Sequence, residues 1–98
     1  MLHFEELYEQ SEKLATKIHQ TETTTELIAS IMSVLNDYKD LATSKLPDEV
    51  KASLRNRYMG EIMFLFTAIS MKDNVNVYAA LQEEMRLNEI DITEIIGR

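Results

Sequence analysis

Few residues in this chain combine the types and spacing that chemistry requires. Glu61 is a lone carboxylate at the entrance of an apolar run, Ile62 to Ile69, broken only by Thr67. Ser33 and Asn36 stand three apart, which makes them neighbours on one side of a helix, and small polar residues in that setting call for a reason. Asp37 and Asp40 share the spacing but read as a solvated helix face. His3 and His19 are far apart and no His-Glu-x-x-His pattern occurs, so zinc has little support and both read as surface histidines. With no cysteine there is no thiolate ligand, cysteine nucleophile or disulfide, and neither a Gly-rich phosphate loop nor a Gly-x-Ser-x-Gly elbow is present.

The elements that must position these residues all read as helices. Phe4, Leu7, Tyr8, Leu14, Ala15 and Ile18 make one stripe over about residues 3–19, with Glu5, Glu6, Glu9 and Glu12 opposite and the lysines later, as the helix dipole favours. Thr23 and Glu26 have the spacing of a capping box, opening a second helix over about 24–43 whose main stripe is Leu27, Ile31, Val34, Leu35, Tyr38, Leu41 and Ala42. Pro47 suits the first turn of a third helix, about 47–72. There Val50, Leu54, Tyr58, Glu61, Leu65, Ala68 and Ile69 share one face, while Met59, Met63 and Phe66 form a second. A helix that is apolar on more than one side must be covered on all of them. The run is far shorter than the roughly 20 residues of a membrane span, so protein must cover it, and Met59, Met63, Phe66 and Ile69 are the expected dimer contacts. Asn74-Val75-Asn76 makes a tight corner into a fourth helix, about 77–88, with Val77, Ala80, Leu81 and Met85 facing inward. A tail, 91–96, repeats the capping-box spacing at Asp91 and Glu94, and its three isoleucines are expected to dock on the bundle or a partner.

The chain of 98 residues is one domain, and its core is modest for its surface, so oligomerisation is a natural supplement. Two glycines and one proline leave little punctuation for a β protein; the expected class is all-α. The N-terminus lacks the pattern of a signal peptide, and the expected compartment is the cytoplasm. A net charge of −7 opposes attraction to nucleic acid and to anionic membranes. Lys51, Arg55 and Arg57 make a basic half-helix, expected to pair with the glutamates of the first helix or to meet a phosphate or acidic partner.

Taken in order, helix, capped corner, helix, loop, apolar helix, tight corner and short helix resemble the MazG-like all-α nucleotide pyrophosphohydrolases and their dCTPase- and dUTPase-like relatives. The closest local likeness is Gly60 to Ile69, followed by Asn74-Val75-Asn76-Val77-Tyr78-Ala79-Ala80-Leu81, Met85 and Asn88. The resemblance implies a four-helix bundle completed by dimerisation. It also implies two acidic pairs, one on each of two packed helices, holding Mg²⁺ for release of pyrophosphate from a nucleoside triphosphate. Laid on this sequence, the first pair falls on Ser33 and Asn36 and the second on Tyr58 and Glu61, so only one carboxylate of the set remains, with Glu61 the sole candidate metal ligand. Glu84 stands where the family has a lysine, and Asn88 matches.

The expectation that follows is a MazG-like domain that has lost nucleotide hydrolysis, needs no cofactor, forms a dimer or tetramer, and acts as a protein-binding regulator or inhibitor of the kind a phage or mobile element encodes. The alternatives are a Mg²⁺-dependent pyrophosphohydrolase with a rearranged site, using Glu61 and Asp37, or a nucleotide-binding sensor.

Overall fold

A computed structural model describes the backbone of residues 4–96 and the side chains of residues 5–89. His3 and the docking expected of Ile92, Ile95 and Ile96 lie outside the described side chains. Four α-helices follow one another, α1 (Phe4–Ile18), α2 (Thr24–Asp40), α3 (Asp48–Asp73) and α4 (Val77–Ile96), with a 3-10 turn, Leu41–Thr43, after α2. No strand occurs among the described residues.

Local chemistry sets the boundaries. Thr23 is extended (φ −81°, ψ 161°) and its Oγ1 accepts the Glu26 N–H at 3.1 Å, while Glu26 Oε1 accepts the Thr23 N–H at 3.4 Å, the capping box its spacing predicts. The last turn of the second helical segment tightens to 3-10 geometry, which keeps Leu41 in the core as the chain leaves. Pro47 stands one residue ahead of α3 as its N-cap, and Asp48 and Glu49 fill the first turn at the positive end of the dipole. Asn74 ends α3 in the left-handed region (φ 57°, ψ 44°), where its own N–H and that of Val75 both reach Ser70 O. Two residues on, Asn76 Oδ1 accepts the Ala79 N–H at 3.0 Å and starts α4.

α3 is the central element, packed along α2 on one side and α1 on another. The core joins Ala15 of α1, Leu27, Ile31 and Val34 of α2, and Ile62, Leu65 and Ala68 of α3, with Tyr58, Phe64 and Ile69 half-buried against it. Two long-range hydrogen bonds pin the ends: Thr24 Oγ1 donates to Asp73 Oδ1 at 2.8 Å, and Tyr8 Oη accepts the Val77 N–H at 3.0 Å. Thr67 and Ser70 are buried on α3 without foreign partners. Their hydroxyls bond back to Met63 O and Thr67 O, at 3.0 and 2.6 Å.

Three expectations are corrected. Ile62, not Glu61, faces the core with Leu65, and Glu61 is exposed, because the stripe that meets α2 runs Tyr58–Ile62–Leu65–Ile69. α4 does not stop near Asn88 but continues to Ile96, since neither glycine nor proline interrupts the sequence before Gly97. Of its residues expected inward, Val77 is half-buried, whereas Ala80, Leu81 and Met85 are exposed. Among the described residues no helix is long and apolar enough to cross a membrane.

The result is open. The radius of gyration is 16.6 Å, against about 13 Å for a compact chain of this length. The accessible surface is 7790 Å², against about 5,700 Å² for a folded monomer of 11.3 kDa. With so few fully enclosed side chains, each one counts. Leu27→Ala should lower the unfolding free energy by about 3 kcal/mol, and Thr23→Ala, which removes the cap, by about 1 kcal/mol. Urea unfolding followed by circular dichroism measures both.

Candidate functional site

The four-ligand arrangement implied by the resemblance would require α2 and α3 to turn Ser33, Asn36, Tyr58 and Glu61 toward one another. α2 does not present its pair that way. Its buried residues are Leu27, Ile31 and Val34, and at roughly 100° per residue Asn36 lies about 180° round the helix from Leu27 and Ser33 about 120°. Both are exposed. Tyr58 leans on the core half-buried, and Glu61 is exposed on the neighbouring part of α3.

Glu84 and Asn88 ride on the exposed part of α4 and satisfy each other: Asn88 Nδ2 donates to Glu84 O at 2.8 Å and to Glu84 Oε1 at 3.3 Å. None of these six positions lines the hollows beside α3. Asp37 and Asp40 are exposed on α2, and among the described residues no group of three or more histidine, cysteine, aspartate or glutamate side chains could hold a metal ion. Of the expected dimer contacts, Met59, Met63 and Phe66 are 46, 56 and 49 % exposed and form one stripe, whereas Ile69 packs partly into the core.

The basic half of α3 does not pair with α1. Elsewhere among the described residues His19 hydrogen-bonds to Glu22, and Glu83 and Arg86 form an ion pair. The first was not legible in sequence. His19 sits half-buried beyond the last turn of α1, its Nδ1 2.7 Å from Glu22 Oε1 and its ring centroid 5.8 Å from that of Phe64. A carboxylate three residues after a histidine at a helix end is the one signal that could have found it.

Two hollows flank α3. One, of about 440 Å³, has the buried Ala15 and Ala68 at its floor and Lys13, Lys17, Lys72 and His19 around it, and no carboxylate lines it. The small alanine side chains leave the depression, and the lysines rim it because α1 and α3 end side by side. The other, of about 470 Å³, runs between α1, α3 and the start of α4 and is almost wholly apolar, with Leu7, Tyr8, Gly60, Met63, Phe66 and Val77 among its lining.

Glu83, on the exposed part of α4, is held below the usual carboxylate range chiefly by its hydrogen bonds from Arg86, whose guanidinium is raised in turn. A depressed carboxyl gives its stabilisation above the free-carboxylate range and loses it as pH falls through the folded pKa. Carboxyl NMR titration should find Glu83 ionising at lower pH than the other exposed glutamates, and Arg86→Gln should return it to them. Comparison of the chain with protein-family models, with curated proteins and with solved structures finds no match.

Proposed function

We propose that this chain is a MazG-like helical domain that has lost nucleotide hydrolysis and works by binding protein, as a regulator or inhibitor, with a second copy of itself completing the bundle. The observation that carries this reading is the uncovered apolar surface. The chain exposes roughly 2,000 Å² more than a compact monomer of its mass would, and the excess includes three apolar stripes. These are Ile28, Met32 and Leu35 on α2, Met59, Met63 and Phe66 on α3, and Leu81 and Met85 on α4. Large apolar side chains exposed as stripes on three helices suit an interaction face. An obligate dimer interface buries about 2,000–5,000 Å² in total, which matches what two such chains leave open. Methionine-rich stripes suit the role because the unbranched thioether adapts to an irregular partner.

Loss of catalysis is supported by the residues at the family's ligand positions. Ser33, Asn36 and Tyr58 offer no carboxylate, and Mg²⁺ relies on carboxylates to hold it. Purified protein incubated with nucleoside triphosphates and Mg²⁺ or Mn²⁺ should release no pyrophosphate above the uncatalysed background. Turnover that vanishes in Glu61→Gln would return the chain to the enzymes and sink this reading.

A second reading, a nucleotide-binding sensor, is favoured by the cationic hollow. In a chain of net charge −7, Lys13, Lys17 and Lys72 gather around one depression with His19, and none of the three lysines pairs with a described carboxylate. Under that reading, calorimetry with a nucleoside triphosphate gives a saturable heat that falls at least tenfold in affinity in Lys17→Gln/Lys72→Gln. Absence of heat in the unmodified protein removes it.

A further inference from the structure

The element with the least cover in this chain is its longest exposed one. α4 spans 20 residues, about 30 Å of helix. Only its first turn is anchored, by Tyr8 Oη to the Val77 N–H and by the half-buried Val77 and Tyr78. From Ala79 to Glu89 every described residue is exposed, Leu81 and Met85 by 49 and 58 %. Most of a helix's stability in a protein comes from packing an apolar face. The stripe Val77–Leu81–Met85, repeating every four residues, is such a face, and beyond the half-buried Val77 its described members, Leu81 and Met85, are exposed.

The apolar groove between α1 and α3 presents the complementary problem. α4 starts at one end of it, where Val77 contributes to the wall, and then leaves it open. Its lining carries no charged side chain. On its floor Gly60 stands well inside α3, where glycine costs about 0.5–1 kcal/mol relative to alanine, yet a Cβ built on it would meet nothing within 4 Å. The smallness of Gly60 is thus not required by any neighbour in its own chain, but it would let another backbone approach closely.

We propose that the groove is filled by α4 of a second copy, so that two chains exchange their last helices about a two-fold axis. Leu81 and Met85 of each copy lie on Met63 and Phe66 of the other. This rests on the reading of the chain as a self-assembling interaction domain and gives that assembly its geometry. The occupant is a second copy because one chain supplies both halves of the contact, an uncharged groove and an unpacked helix with an uncharged stripe. The uncovered area, roughly 2,000 Å² per chain against the monomer expectation, is also what a reciprocal interface needs. The charge of −7 on each copy opposes association only at long range and is screened by salt, so the dimer is held at least as tightly at high ionic strength as at low.

The chain has no cysteine, so each introduced thiol is the only one present. Single variants Met63→Cys and Phe66→Cys are each mixed with Leu81→Cys or Met85→Cys under mild oxidation, and the products are weighed by mass spectrometry. Two acceptors and two donors one turn apart allow for register. The expected product is the mixed disulfide of an α3 variant with an α4 variant, exceeding both same-variant disulfides in at least one pairing. Dominance of Met63–Met63 or Phe66–Phe66 disulfides would mean that α3 packs on α3, and would overturn the exchange. Closure of a Met63→Cys/Leu81→Cys double variant within one chain would overturn it equally, since α4 would then cover its own groove. As an independent readout, Leu81→Glu should weaken the dimer at least tenfold in sedimentation while the circular dichroism of the α1–α3 body persists. A monomer in sedimentation of the unmodified protein at micromolar concentration would remove the self-assembly reading itself, whereas a dimer that is unaffected by Leu81→Glu and lacks the mixed disulfide would remove only the exchanged arms.

Discussion

A helix of 26 residues presents more surface than two shorter helices can cover, and the rest of the fold follows from which parts of α3 they leave bare. α2 takes the side bearing Tyr58, Ile62 and Leu65, and α1 closes over Ala68 with its own Ala15. The small alanines let α1 come close, and they also limit how much apolar area that contact removes from water. Leu7, Leu14 and Ile18 of α1 consequently remain about half exposed, and the core stays small relative to its boundary. The hydrophobic contribution scales with area buried, roughly 25 cal/mol per Å². A chain that leaves so much uncovered is one for which association and folding are hard to separate.

The same constraint governs the chemistry. The α2 face that meets α3 is filled by Leu27, Ile31 and Val34, so polar residues on α2 are displaced to its outer sides. The side chains of Ser33, Asn36 and Glu61 are all exposed. Polar groups that are buried, Thr67 and Ser70, spend their hydrogen bonds on the preceding turn of their own helix.

Much of the fold was legible in the sequence because the signals were local. The capping box at Thr23 and Glu26, the left-handed Asn74 and the N-cap at Asn76 depend on a few adjacent residues, and they appear where the spacing put them. The inward face of α2 was legible in part: Leu27, Ile31, Val34 and Leu41 are buried and Tyr38 half-buried as the stripe puts them, whereas Leu35 and Ala42 are exposed. α3 was harder. With apolar residues on nearly every side from Ile62 to Ile69, periodicity could not choose between Glu61 and Ile62 as the core position, and only the direction of approach of α2 decides it. The placement of His19 against Phe64 and the gathering of Lys13, Lys17 and Lys72 depend on α1 and α3 ending side by side, a tertiary fact with no local signature. For α4, alternation of apolar residues announced a buried face but not what buries it.

The hydrogen bond from the Val77 N–H to Tyr8 Oη joins positions 69 residues apart, and with it comes an order of events. α2 and α3 are separated by a short connection, so their contact closes at little entropic cost, whereas α1 must wait for α3 to exist before it has anything to pack on. The first turn of α4 needs α1 in place in its turn. The short α2–α3 connection thus favours pairing of those helices first, and the first turn of α4 takes its place only once Tyr8 of α1 is there to accept its N–H.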